Sequence, residues 1–542
     1  MKQMTGLTHD AVTPAELIHA LLGAEADLLW FGGIGTYLKS SRETNLDVGD
    51  KANDAVRIDG GAVKAKVIGE GANLGCTQLG RIEYAQTGGA INTDAVDNSA
   101  GVDCSDHEVN IKIALGPEVR AGDLPRKQRD KLLASMTDEV AELVLRDNYQ
   151  QTLAISLEAS LAHRLLDSHA GFMREQERAG LLNRKVEFLP DDAAISERAA
   201  AGLGLTRPEI SVLVAYAKNG LRQELEKSDV PDSEFLREDL LSYFPKPLRE
   251  KYRQALLGHQ LRREIMASML VNSIVNRAGV TFVSTIAEET GCSTAEVVRA
   301  FVVARAAFDL RAFWQSLEAL DNKVPADVQT RIQLDGRDLI RRATIWFLRN
   351  VPQPMDIGAV IEAYRPGITQ LRSEIHLHLS AFEAEAHAGR LEGLLEEGVP
   401  EDIARVAAGL QPMGGAADMV MVSRFCERGI SDVAAAFFRI GAELRLDWLC
   451  SAAETYIVDG HWERLATNAM IDDFYGQQRV MTAQALTAST AADAETAVVQ
   501  WCEAHGLAVR RTVKLIDEMR TGAISVAKLA FVNRQMRDLL NK

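Results

Sequence analysis

Leu28-Leu29-Trp30-Phe31-Gly32-Gly33-Ile34-Gly35-Thr36-Tyr37 is a run of four large apolar residues that breaks into three glycines within four positions. Four apolar residues in a row fit a short strand of a parallel sheet, and the glycines fit the loop that such a strand feeds. The design returns at Lys66-Val67-Ile68, which ends in Gly69-Glu70-Gly71-Ala72-Asn73. Both loops are expected at the carboxyl ends of parallel strands, where open α/β sheets bind ligands. Tight strand-to-helix turns also call for glycine, so the residues alone leave a dinucleotide-lining role and a turn role both open.

Outward from this pair, Thr13-Pro14-Ala15-Glu16 reads as a helix start, with Thr13 as N-cap, Pro14 at the first helical position and Glu16 closing a capping box. Of the 40 glycines, 16 fall before Pro117; beyond it, long stretches show helical periodicity with few breakers. We place a boundary at Gly116-Pro117. Thr206 to Glu209 and Ser293 to Glu296 are further capping boxes. The first precedes an apolar stripe of Ile210, Leu213, Val214, Ala217 and Leu221, and the second precedes Val297, Val298, Phe301 and Val302. Leu132, Met136, Val140, Leu143 and Val144 mark one earlier helix. Phe244-Pro245-Lys246-Pro247 and Val351-Pro352-Gln353-Pro354 are candidate joints, and no fixed repeat period supports a solenoid.

Composition bounds the function. At 542 residues, 47% hydrophobic and 25% charged, the chain is long enough for several folded domains. A net charge of -16 without a block of basic residues argues against nucleic acid as a partner. No window offers eighteen uninterrupted apolar residues, and the start resembles no signal peptide, so neither membrane spanning nor export is expected. The six cysteines are scattered without a CxxC pair, which fits a reduced, cytoplasmic setting.

The densest polar cluster is Asp97-Asn98-Ser99-Ala100-Gly101-Val102-Asp103-Cys104-Ser105-Asp106-His107-Glu108. It admits three readings. Ser105 to Glu108 forms a capping box for a helix through Val109, Ile111, Ile113 and Leu115. Asp103 with His107, or Cys104 with Glu108, could share a helix face toward a metal, but adjacent residues cannot all converge on one ion and no known ligand spacing matches, so no metal is assigned. Third, Ser105 and helix-start amides could receive a substrate carboxylate.

Other signals are negative. Gly69 to Gly75 reads GxGxxxG, one residue too long for the dinucleotide fingerprint, and Gly33-Ile34-Gly35 lacks a third glycine. Arg42, Lys51 and Arg57 lie among acidic residues and read as solvated surface. His9, His19, His107 and His461 have no base–nucleophile partner, and no GxSxG, P-loop or HExxH is present. No catalytic residue is nominated.

Together, Leu28 to Tyr37, Gly69 to Asn73 and Asp97 to Glu108 resemble the large-subunit NAD-specific glutamate dehydrogenases of bacteria. The likeness runs along the whole chain, is most specific over residues 1–117, and places the chain as the C-terminal portion of such an enzyme. The same order resembles shorter amino-acid dehydrogenases, which carry EGAN and then NAGGVxxSxxE. Glu70-Gly71-Ala72-Asn73 matches the first motif completely. Asn98 to Glu108 keeps the Asn, Gly, Val, Ser and Glu of the second but carries Ser99-Ala100 where the family has Ala-Gly.

The resemblance implies a fold class of α/β plus all-α: the C-terminal half of a Rossmann-like NAD domain (1–117), a helical domain (118–352) and a second helical subdomain (353–542). It implies NAD as cofactor, with Gly33, Gly71, Asn73 and Asn98 lining it, and L-glutamate as substrate, with Ser105 on its side-chain carboxylate. The implied reaction is oxidative deamination to 2-oxoglutarate and ammonia by a cytoplasmic homo-oligomer. The family's acid–base lysine and aspartate lie upstream of the NAD domain. Lys39, Lys51, Lys64 and Lys66 lack the glycine-rich context of that lysine, so the chain is expected to be inactive alone. The alternative is a helical oligomerisation or regulatory module that retains a non-catalytic remnant of the NAD domain.

Overall fold

Thr13 opens the first helix, α1 (Pro14–Leu22), through the anticipated capping box: Glu16 N donates to Thr13 Oγ1 at 3.3 Å, and Thr13 N to Glu16 Oε2 at 2.8 Å. The computed structural model describes residues 6–7, 11–456, 460–489 and 493–540. Met1 to Thr5 and His9 lie outside these, as does the side chain of His461.

Four strands follow: β1 (Leu28–Phe31), β2 (Leu38–Lys39), β3 (Ile58–Asp59) and β4 (Val67–Glu70). β1 pairs in parallel with β4, Leu28 opposite Val67 and Phe31 opposite Glu70, and β2 pairs in parallel with β3. The parallel pairing agrees with the sequence reading. The burial is one-sided: Leu28, Trp30 and Val67 are 56, 58 and 42% exposed. Only the other face is covered: Phe31 and Ile68 join Leu22, Leu38, Ile58, Val63, Ala65, Cys76, Tyr84 and Ile91 in one core. Among the described residues the chain is mostly helical, and its sheets are these two short pairs.

Three helices carry the chain from β4: α2 (Gln78–Gln86), α3 (Asp94–Asp97) and α4 (Ser99–Ala121). Two readings change here. The boundary at Gly116-Pro117 falls inside α4, which continues to Gly122 in a left-handed turn at φ 86°. Nor does Ser105 cap a helix: α4 begins at Ser99, and the Ser105 hydroxyl donates to the Gly101 carbonyl at 3.3 Å, one turn back. Glu108, the supposed partner of the box, pairs with Lys112 instead. Both changes have one cause. Ile111, Ala114 and Leu115 bury a continuous apolar stripe, and that packing carries the helix through a proline whose sequence signal suggests a stop.

The expected helix from Leu132 to Val144 is two, α5 (Arg126–Ala134) and α6 (Thr137–Ser160), parted at Ser135 and Met136. α7 (Arg207–Lys227) starts at its Thr206–Glu209 capping box, and Ile210, Leu213, Val214, Ala217 and Leu221 are all buried. α4 and α7 both pack on α6, and α8 (Arg262–Ala278) packs on α6 and α7. By compactness the chain divides after Thr285, so residues 118–285 cohere with the glycine-rich part. The glycine gradient reports a change from strand-and-loop to helix, whereas compaction follows apolar faces.

The second unit, Ile286–Lys542, is helical throughout its described residues. Its α9 (Thr294–Ala307) starts at the Ser293–Glu296 capping box and buries Val297, Val298, Phe301 and Val302 completely. It packs on α10 (Ala326–Asn350) and α11 (Ile357–Glu374). The Val351-to-Pro354 turn joins these two helices inside the unit, so the 352/353 boundary does not separate compact bodies.

Candidate functional site

The loops after β1 and β4 lie side by side because the strands are parallel neighbours. Ala72 N donates to Phe31 O at 3.0 Å, Thr36 Oγ1 to Leu74 O at 2.8 Å, and Tyr37 N to Gly75 O at 2.8 Å. The indole of Trp30 lies against the second loop. A methyl built on Gly71 would meet Trp30 Cζ2 at 2.3 Å, so glycine at 71 is required by the chain's own packing. Gly33 differs, since a methyl there would meet nothing within 4 Å.

Arg57, read from sequence as solvated, is instead 5% exposed and braces the first loop. Its Nε donates to Thr36 O at 2.8 Å, and its guanidinium reaches Asp54 Oδ1 at 2.6 Å and Asn45 Oδ1 at 2.8 Å. The surrounding acids that suggested a surface patch are its partners.

Glu70, fully buried, braces the second loop. Arg81 of α2 grips it with two bonds, Nε to Oε2 at 2.6 Å and Nη2 to Oε1 at 2.9 Å, and Cys76 N donates to Oε1 at 3.0 Å. Burial pushes the Glu70 carboxyl up, against the pull of Arg81. Asp94 and Asp97 secure the same loop through Leu74 N and Glu70 N, at 2.8 and 3.0 Å. These supports were not anticipated, because they join residues 6 to 27 positions apart.

Asn98 stands at the start of α4, and its Nδ2 donates to Asn73 Oδ1 at 2.9 Å. Asn148 of α6 fixes that helix start by donating to Val96 O and Ser99 Oγ, both at 2.9 Å. Arg207 of α7 reaches Asn92 Oδ1 at 2.9 Å, and Asn92 in turn donates to Asp97 at 2.9 Å. The structure thus brings Asn73 and Asn98 into contact, with Gly71 two residues before Asn73. Ser105 lies two turns into α4, exposed, on the side where Val102 is also exposed. Gly33 is exposed in the first loop.

The opposite side of α4 faces α6 and α7 with charged groups. His107 is 1% exposed and stacks on Tyr243 with ring centroids 4.3 Å apart. Burial lowers its pKa to about 4, while burial and then the charge of Asp147 raise that of Asp103 to about 7. Lys218 of α7, lowered by burial to about 8, completes the group and donates to Gln151 Oε1 at 3.1 Å.

Residues 202–538, more than half of the chain, match the model described as glutamate dehydrogenase, C-terminal, and residues 1–158 match the bacterial NAD-glutamate dehydrogenase catalytic domain. The chain belongs to the bacterial NAD-specific glutamate dehydrogenase family. The NAD-specific glutamate dehydrogenase of Pseudomonas aeruginosa is 42% identical over 541 residues, covering 99% of this chain and 33% of that protein. Those of Halomonas elongata and Mycobacterium tuberculosis are 41 and 38% identical, over 96 and 97% of this chain and 32% of each relative. This glutamate dehydrogenase family chain therefore spans about a third of the length of the curated relatives it matches. The catalytic-domain match takes in Gly33, Gly71, Asn73, Asn98 and Ser105.

Proposed function

We propose that this chain supplies the cofactor-orienting and substrate-recognising loops of an enzyme that oxidatively deaminates L-glutamate to 2-oxoglutarate and ammonia with NAD. The observation that carries the reading is the Asn73–Asn98 amide pair, set between a glycine-lined loop and the helix that presents Ser105. An amide offers both a donor and an acceptor. With one bond between them, Asn73 Nδ2 and Asn98 Oδ1 are left to hold a carboxamide or ribose hydroxyl. Gly33 has room for close approach of a ligand, since its own packing makes no use of the missing side chain.

Bound NAD would supply the hydride acceptor for oxidation at the glutamate α-carbon, leaving an imine for water to hydrolyse. The residues of this chain orient the partners for that step. The bond from Ser105 to Gly101 is long at 3.3 Å, so the hydroxyl can turn to a glutamate carboxylate oxygen. Gly71 admits the Trp30 ring, which shapes the loop carrying Asn73. In this reading residues 1–117 carry the C-terminal half of a Rossmann-like domain, whose last helix α4 runs on to Ala121, and the helical stretches 118–352 and 353–542 follow in sequence without being separate compact bodies. The acid–base lysine and aspartate are supplied by segments outside these 542 residues. Lys39 and Lys66 are paired with Asp59 and Asp27, which supports leaving them unassigned. The exposed face of Leu28, Trp30 and Val67 is a surface that the remainder of such a domain would cover. We further read the enzyme as a cytoplasmic homo-oligomer; the six unpaired cysteines fit a reducing compartment.

Steady-state kinetics on the enzyme containing this chain tests the reading. Ser105→Ala raises KM for glutamate and leaves KM for NAD, whereas Asn73→Ala does the reverse. Identical effects of both substitutions on both constants would overturn the assignment. The 542-residue chain alone is expected to show little turnover, and an ordinary rate from it would place the proton-transfer groups within this chain.

A further inference from the structure

Asp103, His107 and Asp147 each offer a ligand atom, and these three atoms lie within 4.8 Å of one another. Sequence spacing offered Asp103 with His107, or Cys104 with Glu108, each four apart on α4, and neither pair alone makes an ion site. Tertiary packing adds the third ligand, because α6 crosses α4 and brings Asp147 from 40 positions away.

The second observation is independent of the carboxylates. Both ring nitrogens of His107 are buried and without a hydrogen-bond partner, and so is Asp103 Oδ2. A buried imidazole ordinarily donates through one nitrogen, since leaving both unmet costs about 1–3 kcal/mol or more. Tyr243, stacked on the ring face, fixes its plane, and Nε2 sits 3.9 Å from Asp103 Oδ1, too far for a hydrogen bond. Lys218 does not resolve the matter, because its hydrogen bond goes to Gln151. Lys218 and Arg146 are the cations that act on Asp147, and neither supplies the hydrogen bond that the His107 ring lacks.

We propose that Asp103, His107 and Asp147 form a binding site for a divalent transition-metal ion that clamps α4 to α6. One imidazole nitrogen and two carboxylate oxygens suit zinc-like ions; calcium and magnesium prefer oxygen alone. Ligand bonds of about 2.0–2.2 Å require the three atoms to close by roughly an ångström, which the Asp103 and Asp147 carboxylates supply by side-chain rotation. Water fills the remaining positions. The ion sits behind the helix face that carries Ser105, so it acts as a support for α4 and takes no part in chemistry.

The test uses the 542-residue chain, stripped by a chelator and titrated with cobalt(II), without NAD or glutamate, so its outcome does not depend on the dehydrogenase reading. Saturable uptake of one ion with visible absorption is expected, abolished in His107→Gln and in Asp147→Asn and retained in His19→Gln. Uptake unchanged in His107→Gln, or no saturable uptake by the wild type, would overturn the site. Because those variants could unfold, imidazole 15N shifts of wild-type His107 on adding zinc give a second readout. A ring nitrogen signal that does not move with zinc also overturns the proposal.

Discussion

Asn98 Nδ2 donates to Asn73 Oδ1 at 2.9 Å, and that bond ties the loop after β4 to the first turn of α4. Two motifs 25 residues apart are thereby held as one unit. If they grip the cofactor jointly, Asn73→Ala and Asn98→Ala each weaken NAD binding by roughly 1 kcal/mol, about fivefold in KM, and the double variant loses less than the sum. Additive losses in a double-mutant cycle would show that the two amides act separately.

Gly71 and Gly33 should answer to substitution in opposite ways. Gly71→Ala forces a methyl into the Trp30 ring and is expected to cost about 1–3 kcal/mol of stability, with a change in tryptophan fluorescence. Gly33→Ala meets nothing in the chain, so its melting temperature stays near wild type while NAD affinity falls. A Gly33→Ala variant with unaltered NAD affinity would separate that loop from the cofactor.

The Glu70–Arg81 pair is buried on both sides, at 0 and 5% exposure. Removing one partner strands a buried charge, so Glu70→Gln or Arg81→Met is expected to destabilise the first unit by about 3–5 kcal/mol. Denaturant unfolding measures this. Replacing both partners should cost less than either single change; an equal or greater cost would mean that the salt bridge is not the main restraint on the loop.

Glu83 receives hydrogen bonds from Ser40 Oγ, Ser41 N and Oγ, and Gly61 N, and these outweigh burial to lower its pKa from 4.5 to about 2. A depressed carboxyl stabilises the fold when ionised. Its contribution is present above pH 4.5 and is lost as pH falls from there toward 2. Unfolding free energies of wild type and Glu83→Gln should therefore differ near neutrality and converge in that acid window. A gap that stays constant with pH would exclude this carboxylate as the source.

Some of this was legible in residue order. Capping boxes at Thr13, Thr206 and Ser293 are written in three or four consecutive residues, and all three form as read. The two strands and their loops were legible for the same reason. By contrast, Ser105 to Glu108 spells a capping box within the interior of a helix, because the buried stripe of α4 outweighs a local signal.

By itself the sequence determined the helices and strands whose signals are local, the family, and the motif positions on which the proposed roles of Asn73, Asn98 and Ser105 rest. Only the tertiary structure decided how far the first compact unit extends, why Arg57 and Glu70 are buried, and that Asp147 meets Asp103 and His107. The reason is physical: caps and periodicity act over one or two turns of chain, whereas desolvation and charge pairing depend on which distant groups packing brings together.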